Sequence, residues 1–114
     1  EQAGDSDEYS SRRRGDQADD ETVTACPHNA AGIEGGLSCS CSAQQTENGT
    51  VWGSDVYTSD SSICKAARHA GALSAQSGLV RLRIQAGRPS YAASTRNGVT
   101  TSSWNAWDKS FSFD

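Results

Sequence analysis

Val80, Leu82 and Ile84 alternate with Arg81, Arg83 and Gln85. A period of two predicts a strand with one apolar and one wetted face. A different period runs through Ile63, Ala66, Ala67 and Ala70, which fall at i, i+3, i+4 and i+7. That spacing makes one apolar stripe and predicts a helix over about residues 59–70. Thr58, Ser59 and Asp60 carry N-cap chemistry ahead of it, Arg68 and His69 fall in its last turn, and Gly71 suits the left-handed position after it. Because the stripe is mostly Ala, other backbones can approach closely, so the helix is expected to be central. Shorter patterns predict strands at Thr50-Val51-Trp52 and Val56-Tyr57 around a Gly53-Ser54-Asp55 turn, at Ser90-Tyr91-Ala92, at Val99 to Thr101 and at Phe111 to Phe113. Gly87, Pro89, Asn97 and Gly98 mark turns between them. Residues 26–49, broken by Pro27, Gly32, Gly35, Gly36 and Gly49 and poor in apolar positions, read as loop. One helix among about five or six short strands predicts the α+β class.

Composition narrows this further. The chain has 114 residues, of which 34% are apolar, enough for one domain but too few apolar groups for an aliphatic core to hold it alone. No stretch approaches the ~20 apolar residues of a membrane-spanning helix. The sequence opens on Glu1 without an apolar signal segment, which suggests a mature piece of a longer precursor. Charge is unevenly placed. Residues 1–25 hold eight acids against Arg12, Arg13 and Arg14, whereas residues 26–114 hold six acids and seven bases. The first stretch is expected to be a disordered acidic leader and the second the folded domain. Arg14-Gly15-Asp16 spells an integrin-recognition tripeptide, and the arginine run suits a basic-site protease, although a solvated charged tether accounts for both. Nothing supplies the cations that a nucleic-acid backbone or a membrane surface requires.

Four cysteines, Cys26, Cys39, Cys41 and Cys64, in a short polar domain read as two disulfides formed in an oxidising compartment. Bridging Cys39 to Cys41 would strain the chain, which leaves Cys26–Cys39 with Cys41–Cys64, or Cys26–Cys41 with Cys39–Cys64. A zinc site drawing on His28 or His69 lacks paired cysteine knuckles, and no metal is expected. Asn48-Gly49-Thr50 is a glycosylation sequon and equally a good turn.

Catalytic patterns are missing. There is no Gly-x-Ser-x-Gly elbow and no phosphate loop, and the domain's carboxylates are far apart in sequence. His69 at a helix C-terminus is expected to be structural, with its protonated form favoured, and His28 beside Pro27 to be exposed. Of three tryptophans, Trp104 and Trp107 bracket a polar turn and are the candidates for a ligand platform.

Beyond these local patterns, Val51-Trp52-Gly53, then Val56-Tyr57-Thr58-Ser59-Asp60-Ser61-Ser62-Ile63-Cys64, then Ala66-Ala67 and His69-Ala70-Gly71 resemble the signature of the LCCL domain family. Gly78, Val80, Gly87-Arg88, Tyr91, Ser94, Arg96-Asn97-Gly98-Val99 and Ser110-Phe111-Ser112-Phe113 continue the match in order. The Cys-Pro-x-Asn start and the Cys-x-Cys spacing look more like bacterial and protist versions. The resemblance implies a central helix wrapped by short antiparallel strands, with Cys26 bridged to Cys39 and Cys41 to Cys64. It also implies a non-enzymatic module of a larger secreted or surface protein, without cofactor, serving adhesion or ligand binding. Its partner would be a protein, or a glycan or lipid-type surface; the alternative is an assembly subunit or spacer within a surface complex.

Overall fold

A computed structural model describes residues 24–114. The expected leader, with Arg14-Gly15-Asp16, lies outside the described residues up to position 23. Thr24–Ala25, expected to close that leader, instead form strand β1. The strands that follow are β2 (Gly36–Cys41), β3 (Gly53–Ser54), β4 (Val56–Thr58), β5 (Gly78–Arg88), β6 (Thr95–Arg96), β7 (Val99–Thr100) and β8 (Trp107–Phe113). Among the described residues, two helices, α1 (Ala43–Glu47) and α2 (Ile63–Ala70), complete the α+β fold.

The main sheet has the order β1-β2-β5-β8-β4-β3. Its pairs are antiparallel except β1 with β2, which run parallel with Thr24 opposite Cys39. β5 holds the sheet together, because Gly78 to Arg83 pair with β2 and Leu82 to Arg88 pair with β8. Its period-two pattern is realised: Val80 and Leu82 are buried, while Arg81 and Arg83 face water. Gly87, expected in a turn, lies inside this strand, where a Cβ would run into the Trp107 carbonyl and Asp108 of β8. Closeness of two backbones, not turning, requires glycine there.

The stretch expected as loop holds both β2 and α1. Leu37, Cys39 and Cys41 alternate along β2, and Ser42 with Gln45 forms a capping box at the start of α1. Those signals are short and lie among glycines, so they do not stand out locally.

α2 begins at Ile63, later than its N-cap candidates predict, and Ser62 is the N-cap. Amides at and before its start are taken by distant carbonyls: Ser59 N–H donates to Lys109, Ser62 N–H to Thr50, and Ile63 N–H to His28. The first bond of a helix starting at residue 59, Ile63 N–H to the Ser59 carbonyl, is thus lost, because Ile63 N–H goes to His28 and the Ser59 carbonyl accepts from Ala30, and tertiary context overrides local cap preference. The end is as expected, with Gly71 at φ 81° and its N–H donating to the Ala67 and Arg68 carbonyls. Ile63, Ala66 and Ala67 have no exposed surface, so the alanine stripe is indeed central. It meets the inner face of the sheet, where the rings of Tyr57, Phe111 and Phe113 cluster with centroids 5.6 to 6.1 Å apart. Aromatic rings supply the bulk that the scarce aliphatic residues do not.

Candidate functional site

Asn97 and Gly98, both at positive φ (53° and 80°), form the two-residue turn between β6 and β7. This hairpin belongs to a segment, residues 90–104, that leaves the main sheet, is tied back beside β3 at Ser102 and is closed on itself by two further pairs. Gly53 N–H donates to the Ser102 carbonyl and Ser102 N–H to that of Val51. Tyr91 and Trp104 exchange backbone hydrogen bonds of 2.9 and 3.0 Å. Ser94 N–H donates to Thr101 Oγ1, and Thr101 N–H to the Ser94 carbonyl. The Trp52 and Trp104 rings come together on this framework, edge to face at 6.2 Å. Trp104 keeps 46% of its surface exposed and Trp52 is half-buried. Ser102, Ser103 and Asn105 beside them are exposed, and no charged residue lies between Thr100 and Ala106.

The two tryptophans expected from the sequence sit in different surroundings. Trp104 is exposed, but its ring partner is Trp52 on the approach to β3. Trp107 is half-buried, and its indole N–H donates to Ser59 Oγ at 2.9 Å, a contact that fastens β8 to the turn before α2. No local spacing connects Trp52 with Trp104; the 90–104 segment brings them together.

His69 sits at the end of α2 with no exposed surface. Its Nδ1 lies 2.9 Å from the Tyr57 hydroxyl and its Nε2 lies 3.0 Å from Ser94 Oγ. Ser94 Oγ also meets Ser54 Oγ, which donates to the Ala92 carbonyl. Burial and the nearby Arg96 charge lower the His69 pKa from its ordinary 6.5, opposite to the shift expected at a helix C-terminus. Loss of hydration, which disfavours the charged ring, is the largest cause. Burial likewise pushes the Tyr57 hydroxyl up to about 12. The serine–imidazole contact resembles a nucleophile and its base, but the third member is a neutral phenol where catalysis would use a carboxylate. The Ser94 N–H is committed to Thr101, so it is no oxyanion donor. The chain of contacts therefore acts as a brace between α2, β4 and the 90–104 segment.

The cysteines pair as Cys26–Cys39 and Cys41–Cys64, with Cα separations of 4.8 and 5.6 Å. Of the two pairings left open by spacing, the structure adopts the one implied by family resemblance. Cys39 and Cys41 point to the same face of β2, one holding the chain after β1 and the other holding α2. Among the described residues, the sulfurs of Cys26, Cys41 and Cys64 lie within 4.8 Å of one another, each already bonded in a bridge. Asn48 is exposed at the end of α1, and its side-chain amide donates to the Gln44 carbonyl. His28 is exposed, and its carbonyl accepts from the first amide of α2. Gly49, at φ 95°, leaves room for the His28 ring and Ser62, each 2.8 Å from where a Cβ would stand.

A model of the LCCL domain matches residues 6–111. It covers every described element but the last residues of β8, and reaches well into the stretch expected as leader. Vitrin of Homo sapiens is 44% identical over 61 residues, 54% of this chain and 9% of vitrin. Cochlin of Homo sapiens is 40% identical over 65 residues, 57% of this chain and 12% of cochlin. Clotting factor C of Tachypleus tridentatus is 36% identical over 66 residues, 58% of this chain and 6% of that protein. The match thus spans a small part of each relative's length. All three relatives are animal proteins.

Proposed function

The chain belongs to the LCCL domain family, and from that premise we propose that it is a non-enzymatic extracellular interaction module of a larger protein, recognising a neutral surface glycan through Trp52 and Trp104. The observation that carries this reading is the half-exposed Trp104 ring set against Trp52 on a hydrogen-bonded framework. An indole face binds the apolar side of a sugar ring, and fixed rings lose little entropy on binding. The flanking Ser102, Ser103 and Asn105 offer uncharged hydrogen-bonding groups that suit hydroxyls. A polyanion would find no cation in this stretch. Two disulfides support an oxidising location. Family membership and the short span of the match support a place within a longer chain.

The test is a glycan array followed by calorimetry with W104A. The expected result is binding of neutral glycans that W104A weakens at least about tenfold, the effect of losing about 1.4 kcal/mol, while its melting temperature stays near that of the parent. Glycan binding unaffected by W104A would refute the site. Absence of glycan binding, with capture instead by lipid vesicles or by a neighbouring protein, would refute the ligand class.

A further inference from the structure

Cys26 and Cys41 belong to different bridges, yet their Sγ atoms lie only 3.5 Å apart. Nothing separates the two disulfides. Cys64, the outer partner of Cys41, lines a cavity of 190 Å³ together with Pro27, His28, Gln44, Gln45 and Asn48. All four cysteines are buried, Cys26 at 4% exposure and Cys64 at 2%, so the cavity is the approach to Cys64. The cavity walls are held by Gln45, whose side chain receives the Ser42 N–H and donates to the Cys26 carbonyl at 2.7 Å. Cys26, the cavity and α1 are therefore one fixed unit.

We propose that Cys64 is a thiol-exchange site, at which a small thiol opens one bridge and causes the other to migrate. The incoming thiolate attacks Cys64 Sγ from the cavity. A mixed disulfide forms on Cys64, the Cys41–Cys64 bond breaks, and Cys41 leaves as thiolate. That thiolate is already in contact with Cys26 Sγ. Its attack there forms a Cys26–Cys41 bond and expels Cys39 as thiolate, which takes a proton from water. Disulfide count is conserved across both steps, and the co-reactant is one monothiol. Proximity favours the second step, since the reacting sulfurs need no diffusion. The migrated bridge still ties residue 26 to β2, because Cys39 and Cys41 share one face of that strand. Only α2 is released. The exchange would therefore loosen the central helix while leaving the β1–β2 edge stapled.

The experiment uses the intact chain, with 2-mercaptoethanol as the thiol under native conditions. Samples are quenched in acid at intervals, alkylated with N-ethylmaleimide and mapped by mass spectrometry. The expected first product carries mercaptoethanol on Cys64, maleimide on Cys39 and a bridge between Cys26 and Cys41. In C26S/C39S, where no second bridge exists, maleimide is expected on Cys41 instead. A first product from the intact chain that keeps either native bridge, or one with mercaptoethanol on another cysteine, would overturn the proposal. So would a folded protein that does not react until denaturant is added.

Discussion

Replacing His69 with Phe tests the buried brace directly. The imidazole has no exposed surface and contacts Tyr57 Oη at 2.9 Å and Ser94 Oγ at 3.0 Å. Phenylalanine leaves the Tyr57 hydroxyl, on a fully buried ring, without this partner, a loss of about 1–3 kcal/mol. Ser94 is half-buried and keeps Ser54, so its share is smaller, about 0.5–1.5 kcal/mol. The larger ring adds some strain in a closed site. The sum is a destabilisation of about 2–4 kcal/mol at pH 7.5, measured by urea unfolding. In Y57F/H69F the stranded hydroxyl is gone, so the double variant should lose less than the two single variants together, by about 1 kcal/mol.

The same histidine sets a pH dependence. Its folded pKa lies below the ordinary 6.5, through burial and then the Arg96 charge. As the pH falls past that ordinary value, the unfolded chain takes up the proton first. Stability is full above about pH 6.5 and declines from there towards the depressed folded value, with a slope of at most about 1.4 kcal/mol per pH unit. The parent protein should lose stability between pH 7 and 5, and H69F should lose less across the same range. Carboxylates titrate alike in both and cancel in the comparison. Parallel pH profiles, or a cost below about 1 kcal/mol for H69F, would show that the brace carries no such load.

Removing the bridge to α2 in C41S/C64S opens a loop of sequence separation 23; loop-closure entropy sets the expected cost at about 3.5 kcal/mol, and a urea midpoint near that of the parent would contradict it. G49A should destabilise by more than about 1 kcal/mol, because alanine disfavours φ 95° and its Cβ meets His28 and Ser62 at 2.8 Å; a thermal melt matching the parent would show that the His28 segment moves aside freely.

Periodicity is legible wherever an element is long enough to repeat it. The alternation of Val80, Leu82 and Ile84 and the alanine stripe of α2 follow from local geometry, since burying one face demands one spacing. The Asn97-Gly98 turn is equally local, because few residues other than these accept positive φ. The α+β class and the disulfide framework follow from such signals, and the family is recognisable in the order of its motifs. Position in three dimensions decided the rest. β2 and α1 were hidden among glycines because each is short and stabilised by partners remote in the chain. The first turn expected of α2 was lost because the Ile63 amide found the His28 carbonyl and the Ser59 carbonyl found the Ala30 amide. His69 reversed its expected charge preference once burial removed its water. Trp104 gained Trp52 as its neighbour, not Trp107, because a segment outside the main sheet folds back across it. Local sequence fixes which backbone shapes are cheap; only closure of the chain fixes which side chains meet, which amides are taken and which groups lose their solvent.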